Sequence, residues 1–121
     1  MNDSKALRTP DYLAHILEAV SRINAYVEQV DELEFLKNKL VQDAVIRNFE
    51  VIGEASQNIN RHDSEFLNKY PDIPLNIAYE MRNALSHGYF KIDLEIVWRT
   101  IEDDLPVFQK KVEEALSELS A

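Results

Sequence analysis

No cysteine occurs in the 121 residues, which excludes a disulfide framework, a thiolate metal site and a cysteine nucleophile. Glycine is nearly absent, with 2 residues, and proline is limited to 4, so neither a phosphate-cradling glycine loop nor a turn-rich β architecture is in prospect. No apolar run approaches the length of a membrane span, and the opening Met1-Asn2-Asp3-Ser4-Lys5 is not followed by a signal-like segment. A soluble cytoplasmic chain without a membrane partner is therefore expected. Basic residues are also short, 13 Lys and Arg against 22 Asp and Glu for a net charge of -9. That balance argues against a broad basic face of the kind general nucleic-acid binders use to displace counterions from phosphates. What is present, 45% hydrophobic and 29% charged residues, is ordinary globular composition. The length suits one domain over residues 1–121, with residues 1–8 expected to be flexible.

The apolar residues recur at helical spacing throughout. Thr9-Pro10-Asp11 predicts a helix start with Thr9 as N-cap, and Leu13, Ile16, Leu17, Val20, Ile23 and Val27 carry the helix to about Gln29. Asp31 and Glu34 resemble a capping box for a short turn bearing Leu33 and Leu36, and Asn38 is placed to cap the next helix. That helix, from about Lys39 to Asn60, has the stripe Val41, Val45, Asn48, Ile52, Ala55 and Ile59. Asn48 on a buried face needs hydrogen-bond partners, and Gly53 predicts a close packing contact. Arg47 and Glu54 flank the stripe, either as ordinary surface polar residues or as supports for a ligand site. Asn60 to Ser64 breaks the pattern, a short turn carries Phe66 and Leu67, and Tyr70 to Pro74 reads as a rigid connector. A helix from Pro74 with Ile77, Met81, Ala84 and Leu85 follows. Asp93 caps a last region whose stripe, from Leu94 to Leu119, passes through Pro106. Proline removes a backbone bond and crowds the preceding turn, so a kink or a restart capped by Asp104 is expected there. With no period-two pattern, the fold class is all-α, an up-and-down bundle of four to five helices.

Chemistry concentrates in Met81 to Phe90, which reads Met-Arg-Asn-Ala-Leu-Ser-His-Gly-Tyr-Phe. Arg82 offers a planar cation suited to phosphate, and His87 the side chain that titrates near neutrality. Asn83 and His87 share a helical face, and Gly88 suits a helix stop, where the macrodipole favours imidazolium and a proton donor. Elsewhere, His15 and Glu18 share a face but lack a second pair to complete a metal shell, and His62 sits in a polar break. No metal and no cofactor is expected. From the residues alone, Arg82, Asn83, His87 and Tyr89 read more readily as a helix terminus with a capping histidine, an ion-paired arginine and a packed aromatic than as a reactive site. The acidic run Glu102, Asp103, Asp104, Glu113, Glu114 and Glu118 reads as a solvated helix face.

The series Arg82-Asn83-Ala84-Leu85-Ser86-His87-Gly88-Tyr89 resembles the signature of HepT-like toxins, a branch of the HEPN superfamily of small helical ribonucleases. Asp43 to Ala55 is similar to that family's long central helix, and Ile96-Val97-Trp98 with Asp104-Leu105-Pro106 to its last helical region. The resemblance implies a HEPN-like bundle and a metal-independent endoribonuclease toxin acting on RNA such as tRNA. It implies Arg82 and His87 as catalytic residues, with Asn83, Arg47, Asn48 and Glu54 supporting them. It implies a homodimer that brings two histidines and two arginines to one cleft, where a local field can favour phosphate despite the net charge. It also implies a minimal nucleotidyltransferase antitoxin (MntA-like) that attaches AMP to Tyr89. Two other readings tolerate the same fold: a non-catalytic module that partners a nucleotidyltransferase or its nucleotide, and a purely structural helical dimer.

Overall fold

The structure, a computed structural model, describes residues 8–75, 78 and 93–120. It is an all-α bundle, and among the described residues there is no strand. Helix α1 spans Thr9–Val27, α2 Glu32–Phe35, α3 Lys39–His62 and α4 Ser64–Lys69. Helix α5, Leu94–Arg99, runs through a π turn at Thr100–Asp104 into α6, Leu105–Ser120.

Side-chain caps punctuate the chain much as its Asp and Asn residues suggest. Asp31 accepts from the Glu34 amide at 2.8 Å, Asn38 from Val41 at 3.1 Å, Asp63 from Phe66 at 3.0 Å and Asp93 from Glu95 at 3.1 Å. Each satisfies a first-turn N–H that has no partner within its own helix. The start of α1 differs from expectation. Arg8, not Thr9, is the N-cap; its backbone N–H donates to the Asp11 carboxylate at 2.9 Å. Thr9 instead lies inside the helix and its hydroxyl donates to Asp63. The polar break expected from Asn60 also shrinks to the single residue Asp63, which ends α3 and caps α4.

That Thr9–Asp63 bond sets the first residue of α1 beside the end of α3, so these two helices run antiparallel. Asn24 late in α1 meets Gln109 early in α6 at 3.3 Å, which makes α6 antiparallel to α1 and parallel to α3. The core lies between them: Leu13, Ile16, Val20 and Ile23 of α1, Val45, Ile52 and Ile59 of α3, and Leu105, Phe108 and Val112 of α6 are all buried. In α2 the buried residue is Phe35 rather than Leu33, which stands 64% exposed. Phe35 rests against Trp98 of α5 with ring centroids 5.2 Å apart, tying the short helix to the C-terminal stretch.

Pro106 produces neither a capped restart nor a break in the helical backbone. The turn before it widens, and the Leu105 N–H donates to the Thr100 carbonyl five residues back. This accommodates the missing proline N–H and the bulk of its ring. Asp104 lies within that turn and does not cap a new helix. No described helix is long and apolar enough to cross a membrane.

Candidate functional site

Arg82, Asn83, His87 and Tyr89 lie outside the described residues. The described part of the proposed site is on α3, and the structure divides its supporting residues. Asn48 is buried, and its side-chain amide donates to the Ala44 carbonyl at 2.9 Å. The hydrogen-bond requirement predicted for it is thus met one turn back in its own helix. Ser56 does the same with Ile52 at 2.7 Å, and Gln42 donates to the Phe35 carbonyl at 2.8 Å. These buried polar groups, two of which the apolar stripe gave no reason to single out, each donate to a backbone carbonyl.

Arg47 and Glu54 are brought together on another face of α3. With Val51, Ala55 and Asn58 they line one wall of a groove of about 280 Å³, and Tyr12 and His15 of α1 line the other. The helical register explains the wall: positions 47, 51, 54 and 58 are spaced by fours and threes, as are 12 and 15. The Arg47 side chain is 75% exposed and reaches Glu50 only at 4.0 Å. An exposed ion pair at that distance holds the guanidinium weakly. Asn58 is fixed more firmly, its Nδ2 donating to the Glu54 carbonyl at 3.0 Å. Tyr12 is half-buried and packs on the core, which steadies its ring at the groove edge.

Glu18, which shares a helical face with His15, pairs with Arg22 at 3.0 Å. Among the described residues, no group of three or more His, Cys, Asp or Glu side chains is arranged to hold a metal ion. Sequence reasoning passed over Tyr12, His15 and Asn58 as groove residues. The signal for the first two was their spacing of three along α1, legible only once α1 is known to pack on α3.

The family model for HepT-like ribonucleases matches residues 16–115. This chain belongs to the HepT-like ribonuclease family. The HepT-like match includes Arg47, Asn48 and Glu54 and runs through Arg82 to Tyr89, whereas Tyr12 and His15 lie before it. The chain is 39% identical over 103 residues to "Probable ribonuclease HepT" of Thermococcus cleftensis, covering 85% of this chain and 91% of that protein. It is 38% identical over 102 residues to "Putative RNase MJ1380" of Methanocaldococcus jannaschii, covering 84% and 91%. It is 33% identical over 111 residues to "Putative RNase TTE0752" of Caldanaerobacter subterraneus, covering 91% and 96%. No solved structure matches the chain.

Proposed function

We propose that this chain is an endoribonuclease toxin, a single helical domain acting as a homodimer in the cytoplasm, in which Arg82 and His87 cut RNA without a metal ion. The observation that carries the reading is the HepT-like family match, which runs through the Arg82 to Tyr89 motif. The relatives' names add support, since each is described as a ribonuclease.

The motif has the groups this chemistry requires. A histidine takes the proton from a ribose 2′-hydroxyl, whose oxygen attacks the adjacent phosphorus. The bond from phosphorus to the 5′-oxygen breaks, and that oxygen takes up a proton. The products are a 2′,3′-cyclic phosphate and a 5′-hydroxyl, so no water is consumed in the cut. Arg82 neutralises charge accumulating on the phosphorane oxygens. One neutral histidine and one imidazolium divide the two proton transfers, and a two-fold dimer supplies both from one kind of chain. Asn83, Arg47 and Glu54 would position the RNA or the catalytic pair. Asn48, closed against its own helix, supports the site through the rigidity of α3.

Neutralisation falls to a minimal nucleotidyltransferase that adds AMP to Tyr89. The phenolic oxygen attacks the α-phosphorus of ATP, pyrophosphate leaves and the phenolic proton is released. The resulting phosphodiester carries a negative charge that competes for Arg82, and its bulk excludes RNA.

Cleavage of RNA in EDTA by the purified chain is the deciding measurement. The parent should release cyclic-phosphate ends, and His87→Ala should lose about 100- to 10,000-fold in rate while keeping its helical circular dichroism. Cleavage by His87→Ala at the parent rate would overturn the assignment. Co-expression with the nucleotidyltransferase should raise the mass of the Tyr89 peptide by one AMP, and Tyr89→Phe should escape both modification and the inhibition it causes.

A further inference from the structure

The groove between α1 and α3 combines Arg47 and Glu54, already given a positioning part in cleavage, with Tyr12, His15 and Asn58, which that chemistry does not use. Its floor is apolar, from Val51 and Ala55, and its rim carries an aromatic ring, an imidazole, a guanidinium, a carboxamide and a carboxylate, from Tyr12, His15, Arg47, Asn58 and Glu54. Its volume of about 280 Å³ falls just below the range for drug-sized ligand sites, which starts near 300 Å³, and suits a single nucleotide. We propose that this groove is an RNA subsite that seats one nucleotide of a single-stranded substrate, with the base against Tyr12 and the phosphate on His15 and Arg47. The inference rests on the reading of the chain as a ribonuclease and adds to the Arg82 and His87 pair a place where the substrate is held.

Each group suits that occupant. Single strands are gripped by stacking on aromatic rings and by cations along the backbone, a combination that tolerates any base. Tyr12 is half-buried against the core, so its ring is a platform already ordered before RNA arrives. Arg47, exposed and only 4.0 Å from Glu50, can exchange a weak surface ion pair for a phosphate. Its planar fork then makes two charge-assisted bonds. Asn58 donates through Nδ2 to the Glu54 carbonyl, which orients its amide oxygen to accept from a base edge.

The charge pattern supports the same face. Helix α3 holds Lys39, Arg47 and Arg61 against Asp43, Glu50 and Glu54, a balance of zero. The π turn and α6 hold Glu102, Asp103, Asp104, Glu113, Glu114 and Glu118 against Lys110 and Lys111. An RNA strand meets less repulsion along α3 than along α6.

Binding of a fluorescent single-stranded oligoribonucleotide, followed by anisotropy in a His87→Ala background that cannot cut it, tests the subsite. His15→Ala with Arg47→Ala should weaken binding roughly tenfold, and losing the Arg47 contact should lower the slope of log affinity against log salt by about 0.7. Tyr12→Leu, which keeps apolar bulk but removes the ring, should weaken binding by roughly tenfold with the slope unchanged. Arg22→Ala, the same charge removed outside the groove, should leave affinity near the parent value. A 4-thiouridine-labelled strand should cross-link to the peptide containing Tyr12 and His15. Unchanged affinity in the groove variants, or an equal loss in Arg22→Ala, overturns the subsite while RNA cleavage by the parent leaves the ribonuclease reading intact. Failure of the parent both to bind and to cut RNA overturns both.

Discussion

Helix α3 and the stretch from Leu94 to Ser120 both carry a residue that disfavours a helix, and they respond differently. Gly53 in α3 costs about 1 kcal/mol relative to alanine, yet it keeps its N–H and clashes with nothing, so α3 continues unbroken for 24 residues. Pro106 lacks the N–H and crowds the carbonyl of Glu102, and it sits just after a turn of the wider π form, which tolerates both defects. Thr100 is the first residue of that turn, its hydroxyl donating back to the Ile96 carbonyl at 2.9 Å. An entropic penalty can be borne by regular α geometry, whereas a lost donor and a steric clash are borne where the helix is already wide. As a result α3 displays residues in one continuous helical register on two faces, one toward the core and one toward the α1 groove.

The contrast is broken most forcefully at the core face of α3. Ile59 is fully buried, and Ile59→Ala should cost about 2–5 kcal/mol by urea unfolding. Val112→Ala in α6, equally buried but with one methylene fewer to lose, should cost about 1 kcal/mol less. Equal losses would show that α3 has no special share of the core.

Next in size is the junction that closes α3 against α1. Asp63→Ala removes both the cap on Phe66 and the acceptor for Thr9, so a loss of about 1–2 kcal/mol is expected. Thr9→Val, which removes only the second interaction, should cost less than Asp63→Ala. Identical effects would mean the cap contributes nothing.

Pro106→Ala sharpens the comparison directly. Tightening the π turn to α would rotate everything beyond it by about 100°. That rotation would carry Phe108, Val112 and Ala115 out of the buried positions they occupy. The wide turn should therefore persist without its proline, with stability within about 1 kcal/mol of the parent. A backbone N–H at position 106 that exchanges slowly with an α-helical carbon shift would contradict this.

The smallest effect is at the end of α6, where the Tyr70 hydroxyl donates to Glu118. That hydrogen bond, with burial and the Glu118 charge behind it, holds the Tyr70 pKa above its ordinary 10.0. Because the folded-state pKa is raised, the contact contributes below the unfolded value and is lost as pH climbs through the folded one. Tyr70→Phe should differ slightly from the parent at neutral pH and not at all in strong alkali. Ultraviolet titration of Glu118→Gln should show one tyrosine ionising closer to its ordinary value.

Much of this was written in local sequence. Asp31, Asn38, Asp63 and Asp93 cap helices because an Asp or Asn side chain reaches an amide two or three residues ahead, whatever the rest of the molecule does. The apolar periods of α1, α3 and α6 predicted their buried faces for the same reason. Asn83, Arg82, His87 and Tyr89 were readable as a motif, and the family match includes them, but their geometry lies outside the described residues. Other features required partners distant in sequence. Thr9 reads as a cap from its neighbours and was redirected by Asp63, a residue 54 positions away. Phe35 reads no more apolar than Leu33 and was chosen for the core by Trp98. Asn48 read as part of the buried stripe and Arg47 and Glu54 as its flanks, but only the packing of α1 on α3 made those flanks one wall of a groove. Sequence fixes what each helix can present at its own period. Tertiary packing alone decides which presented residues face a second helix, because the energy of burial belongs to the pair of surfaces and to neither one by itself.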